Sequence, residues 1–195
     1  MLLCTDLDAA SAALAAGTLG CPSCQAGRLR RHGCGREREI RVPGGERETV
    51  RPPRGLCRSC GAAHQLVPAW AVPRRKDGAG VIARAAVASV LRGAGSRRPG
   101  RELGVPAGTV RGWLRRLRIR AGDMRQDASA APEIITAGRD APCLGPCGSA
   151  LGDALAAVIA CARAAITWHG CAEADMDALP GRSGISAALA PAPGS

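Results

Sequence analysis

Two Cys-x-x-Cys knuckles, Cys21-Pro22-Ser23-Cys24 and Cys57-Arg58-Ser59-Cys60, place four thiols at metal-ligand spacing. Four thiolates suit tetrahedral Zn²⁺, and a closed Cys₄ site leaves no open position for substrate, so such a metal is structural. The 32 residues between Cys24 and Cys57 exceed the usual ribbon spacing of about 15–20, and a long β-hairpin would absorb them. A glycine after the second cysteine relieves backbone crowding. Gly61 fills that place, whereas the first knuckle has Gln25, with Gly27 two residues on. His32, Cys34 and His64 compete as ligands but read better as packed or surface residues. Cys143-x3-Cys147 and His169-Gly170-Cys171 could form a second site. Their looser spacing favours free thiols, as for Cys161.

A second constellation follows between Ser96 and Arg120. Gly100 suits a close crossing of two helices and Gly104 suits the turn between them. Val110, Trp113, Leu114 and Leu117 repeat at helical intervals, an apolar stripe. Pro106 is tolerated near the helix start, where the N–H has no partner. The opposite face carries Arg111, Arg115 and Arg118. Arginine forks onto guanine O6 and N7 or onto phosphate. This pattern predicts a DNA-binding helix-turn-helix. Arg111 is the expected base reader, and Arg115 and Arg118 the expected phosphate contacts. Thr109, Arg116, Arg97 and Arg98 complete the candidate DNA-binding set. Pro99 departs from the pattern, because it stands where the first helix should present an apolar anchor, and it should shorten that helix or start it late.

The charge distribution points the same way. The net charge of the chain is +11. Arg28–Arg125 holds 24 Lys and Arg against 7 Asp and Glu, a net +17, while both flanks are acidic. A basic block over the motifs is the footprint of a polyanion partner. Arginine supplies 26 of the 27 basic residues, and Lys76 is the sole lysine. Aromatic content is 2%, which leaves few stacking platforms and argues against a reader of single strands or of RNA sequence.

These residues need elements to hold them. Residues 6–16 read as a short helix stopped by Gly17. Arg38, Ile40 and Val42 alternate, Pro43-Gly44-Gly45 turns, and 46–51 returns as a hairpin. Residues 63–67 suit a further strand, and Pro68 and Pro73 flank Trp70 in a connector. A helix is expected over 80–92, ended by Gly93–Gly95. Residues 121–148 read as an Ala/Pro/Gly-rich linker. A C-terminal helix near 149–168 carries Leu151, Leu155, Val158, Ile159, Ala162 and Ile166 on one stripe. Packing within the chain is favoured there over a homodimer contact. Residues 180–195 read as a disordered tail. The expected fold is α+β. Its parts are an N-terminal helix (1–20), a zinc-ribbon β-hairpin module (21–73), a helical helix-turn-helix module (79–120), the linker, and the C-terminal helix (149–169). No secretory signal is read, since Asp6 and Asp8 replace a basic n-region, and no apolar run reaches the ~20 residues of a membrane span. A cytoplasmic, nucleoid-associated setting is expected, where paired knuckles mean metal more often than disulfide.

The order of motifs is a Cys-Pro-x-Cys knuckle, a Cys-Arg-x-Cys-Gly knuckle with His64 close by, and Leu-Val-Pro-Ala-Trp-Ala-Val-Pro-Arg-Arg. Arg-Glu-Leu-Gly-Val-Pro-x-x-Thr-Val-Arg-x-Trp-Leu-Arg-Arg then follows. Over about residues 1–120 this resembles a family of uncharacterised bacterial zinc-ribbon/helix-turn-helix proteins. It is similar in layout to the N-terminal DNA-binding part of insertion-sequence transposases. The resemblance implies binding to double-stranded DNA, with Cys21, Cys24, Cys57 and Cys60 as zinc ligands and a transposase or integrase as partner. Residues 126–195 are too few for an RNase-H-like catalytic core, so a non-enzymatic, accessory or regulatory protein of transposition or recombination is expected. A transcriptional regulator, or an adaptor binding a transposase or polymerase, is the alternative.

Overall fold

A computed structural model describes residues 1–135 and 146–169, with side chains described for 1–128 and 146–160. The architecture is α+β, with sheets first and helices after. Among the described residues, six short strands, β1 (Leu2–Cys4), β2 (Leu29–Cys34), β3 (Arg38–Arg41), β4 (Arg47–Val50), β5 (Pro53–Cys57) and β6 (Ala63–Pro68), form two sheets. The larger has the order β1-β6-β5-β2. β1 runs parallel to β6, while β6–β5 and β5–β2 are antiparallel. The smaller is the expected hairpin, β3–β4, with Ile40 opposite Glu48. Gly44 and Gly45 turn it at φ +107° and +91°, angles at which a side chain would be strained.

Helix α1 (Leu7–Ala15) begins at Asp6, whose carboxylate accepts from the Ala9 N–H at 2.8 Å, and stops at Gly17 (φ +69°). Its Leu14 packs with Leu29, Cys57 and Leu66 in the core of the larger sheet. The N-terminal residues are therefore part of the sheet module. Strand β1 was not expected, whereas β2 and β5, which pair with each other, continue the long hairpin expected between the knuckles. β2 reads Leu-Arg-Arg-His-Gly-Cys and exposes four consecutive residues. It lacks the alternation that marks a half-buried strand and is held by its register with β5.

Among the described residues, five helices follow: α2 (Ala79–Val90), α3 (Arg97–Glu102), α4 (Ala107–Ile119), α5 (Ala121–Ile135) and α6 (Ala150–His169). They share one core, in which Ile82 and Ala86 of α2 meet Val110, Trp113 and Leu117 of α4 and Leu151 and Leu155 of α6. Helix α5 corrects the linker reading over 121–135, and residues 136–145 lie outside the described residues. Gly122 and Pro132 look like breakers, but Ala121, Met124 and Ala128 bury one face at helical spacing, and tertiary packing of that face overrides weak propensity. α6 packs on α5 and α2. Leu151, Leu155 and Val158 of its stripe are buried inside the chain and Ile159 is half-buried. The side chains of Ala162 and Ile166, and the expected tail at 180–195, lie outside the described residues. Among the described residues, no helix is long and apolar enough to cross a membrane.

Candidate functional site

The four knuckle cysteines converge. β5 ends at Cys57, and the turn to β6 carries Cys60. Leu29, just after the first knuckle, pairs with Cys57, which brings the two knuckles side by side. Each is built alike. The Gln25 N–H donates to the Cys21 carbonyl and the Gly61 N–H to the Cys57 carbonyl, both at 2.9 Å. The Cys21 N–H donates to Gly27 and the Cys57 N–H to Ala62. Gln25 (φ +57°) and Gly61 (φ +71°) share the left-handed conformation, so the first knuckle accepts at Gln25 a backbone that glycine adopts freely. Gly27 is required for closeness, since a Cβ there would lie 2.6 Å from the Cys57 Sγ.

The Sγ atoms of Cys21 and Cys60 are 3.7 Å apart, and those of Cys24 and Cys57 3.8 Å. All four lie within 4.8 Å of one another. A tetrahedron with metal–sulfur bonds of about 2.3 Å has edges of about 3.8 Å, so the cluster fits a metal ion. Its electrostatics are compatible with one. The Cys60 backbone N–H leads in pulling the Cys57 thiol down to about 6. The Ala62 N–H pulls on Cys60, yet burial and the Cys57, Cys21 and Cys24 sulfurs push it up to about 12. Neighbouring thiols share negative charge poorly without a cation.

His64 stands behind the cluster. It is buried, and its Nε2 lies 3.8 Å from the Cys21 Sγ and 3.3 Å from the Ser23 Oγ. Burial holds its imidazole below the ordinary histidine range, which suits a neutral ring bordering a sulfur. His32 is exposed and Cys34 half-buried on β2, and neither joins the cluster. Cys147 is exposed. Cys143, Cys161, Cys171 and the His169 side chain lie outside the described residues.

The second candidate surface is the helix pair α3–α4. Gly100 is buried where the helices meet, and a Cβ there would lie 2.7 Å from the Val105 carbonyl oxygen. Gly104 turns the chain at φ +62°. Val110, Trp113, Leu114 and Leu117 are all buried, while Arg111, Arg115 and Arg118 are exposed on the other face. Pro99 does shorten α3, to six residues, and is itself fully buried, supplying the apolar anchor with its ring. The remaining candidates are less uniform. Arg97 is exposed. Arg98 pairs with Glu102 at 2.8 Å. Thr109 is half-exposed, and Arg116 turns back to donate to the Gly112 carbonyl.

Two residues not singled out in the sequence join this surface. Arg75, in the connector, lies near enough to Arg116 for the second guanidinium to add to burial in lowering the pKa of the first. Arg41, at the end of β3, reaches the turn between α3 and α4. Its Nη1 donates to the Gly104 carbonyl at 2.9 Å and faces Asp77 at 3.4 Å. Its own carbonyl accepts from the Gly78 N–H. Arg41 thereby ties the hairpin to the helices. Only the alternation that places it at a strand end was legible, because its partners lie 36 and 63 positions away.

Residues 21–101 match a family model described as a domain of unknown function, DUF6431. The match takes in both knuckles and ends within α3, before α4 begins. No curated protein matches the chain, and no solved structure does.

Proposed function

We propose that this chain binds double-stranded DNA through a helix-turn-helix formed by α3 and α4, beside a zinc ribbon that holds one structural Zn²⁺ on Cys21, Cys24, Cys57 and Cys60. One observation carries the reading. α4 buries Val110, Trp113, Leu114 and Leu117 and leaves Arg111, Arg115 and Arg118 in solvent. Three cations on the free face of a docked helix, inside a +17 block, suit a major groove lined by phosphates.

The knuckle spacing supports zinc, since four thiolates at tetrahedral edge lengths suit Zn²⁺ and disfavour the hard cations Mg²⁺ and Ca²⁺. Bound there, the ion would stabilise the turn regions that β2, β5 and β6 share, and would leave no coordination position for chemistry. The likeness in layout to transposase DNA-binding regions supports an accessory or regulatory role in transposition or recombination, with a transposase or integrase as partner and a nucleoid-associated setting. Leu151, Leu155 and Val158 are buried within the chain, so a homodimer contact through α6 would use its other residues.

Selection of bound sequences from random duplex DNA by the purified protein tests the reading. Enrichment of a short duplex motif supports it, and recovery of unenriched DNA at no more than background overturns it.

A further inference from the structure

A cleft of about 560 Å³ opens between the β3–β4 hairpin, α2 and the turn before α4. Arg41 and Arg47 line it from the hairpin, Arg84 from α2, and Arg101 and Glu102 from α3. The local charges do not cancel. Arg41 faces Asp77, Arg47 pairs with Glu39, and Glu102 is taken by Arg98. Arg84 and Arg101 are exposed, and among the described residues neither has an ion-pair partner. Two uncompensated guanidinium groups from different elements thus line one concave surface, a setting that suits an oxyanion.

The geometry points to a phosphate site in this cleft, and we infer that it takes a backbone phosphodiester of the duplex held by α4. This inference rests on the DNA-binding reading above. Two features favour a backbone phosphate over a free nucleotide. No aromatic side chain lines the cleft, so a nucleobase has no stacking partner. The cleft also reaches Gly104, two residues before the Pro106 cap of α4. A strand tracking along α4 therefore has this basic concavity at the helix's leading end. Gly44 and Gly45 form its rim, and a Cβ on either would meet nothing within 4 Å, so the rim is open to a bulky polymer. The hairpin, tied to the turn by Arg41, becomes a second DNA-contacting element.

The test compares the full chain with Arg84→Ala/Arg101→Ala and with Arg118→Ala, by duplex binding at several salt concentrations. The double variant should lose affinity on every sequence alike and flatten the log K against log[salt] slope by about 0.9, the contribution of one lost phosphate contact. Unchanged slope and affinity, with Arg118→Ala still flattening the slope, overturns the cleft assignment alone. A flat salt response of the unmodified chain overturns the DNA-binding reading, and this inference with it. Inorganic phosphate, titrated without DNA and followed by its ³¹P line, separates the sources. Phosphate binding that the double variant abolishes, with duplex slopes unchanged, assigns the cleft to a free anion and overturns the duplex contact. Metal content and thermal midpoint are measured on each variant, and Arg84→Gln and Arg101→Gln singly replace the double variant if it fails to fold.

Discussion

Cys57 is the most constrained of the four thiols, fully buried, set at the end of β5 and opposed by Gly27. Cys57→Ser should abolish metal retention and unfold the sheet module, whereas Cys34→Ser should leave about one zinc per chain by elemental analysis. A metal-free preparation with native amide protection would refute that expectation. Acid should release the metal. Binding requires thiolates, so the loaded state carries fewer protons than the metal-free chain, and its stability falls as pH falls. Release to a chromophoric chelator should therefore quicken as pH is lowered. On α4, the arginines divide by position. Arg111 follows the inward Val110 near the helix start, where side chains meet base edges. Arg111→Ala should cost about 1–3 kcal/mol of discrimination at one base pair. Arg118→Ala should weaken matched and mismatched sites equally. Equal losses for Arg111→Ala on both sites would misplace the recognition helix. The cysteines and the α4 arginines were legible because their spacing is local. His64 at Cys21 and Arg75 at Arg116 were not, because only the folded chain brings them together.

At the scale of elements, the α3–α4 crossing depends on Gly100. A methyl there meets a backbone carbonyl at 2.7 Å, which cannot swing aside as a side chain would. Gly100→Ala should cost about 1–3 kcal/mol in denaturant unfolding, and an unchanged midpoint would mean that the helices cross elsewhere. Arg41 governs how the hairpin meets the helices. Arg41→Ala removes charge-assisted hydrogen bonds to the Gly104 and Leu103 carbonyls and a partner of Asp77. A loss of about 1–2 kcal/mol is expected, since the pair is partly solvated. Faster amide exchange should appear in β3, β4 and the turn, while the metal is retained. Exchange unaltered at Gly104 would exclude the strut. Periodicity identified α2, α4 and α6, alternation around the Pro43-Gly44-Gly45 turn identified the β3–β4 hairpin, and the caps and Gly17 stop identified α1, which buries Leu14. Periodicity missed β1, whose conformation is held by the neighbouring strand β6. It also mistook α5 for a linker, because Gly122 and Pro132 outweighed the small Ala121–Met124–Ala128 stripe.

For the whole molecule, the sequence already carried the α+β class and the order of sheets before helices. The division into separate pieces was less accurate. β1 of the N-terminal segment pairs with β6 beyond the second knuckle. Val72 of the connector is buried in the helical core, and α5 and α6 complete that core. Long-range pairings of this kind leave no local mark, so the N-terminal helix and the linker were read as appendages to modules they help to build. The basic block spans both halves, from Arg28 on the sheet to Arg125 on α5. Binding should therefore draw on the assembled surface more than on α4 alone. The most direct test is fluorescence anisotropy of a labelled random-sequence duplex titrated with the full, metal-loaded chain from about 50 to 300 mM salt. With about 5 phosphates neutralised, log K against log[salt] should fall with a slope near −4 to −5. A slope near zero, or no binding at the lowest salt, would contradict the claim that this protein holds duplex DNA.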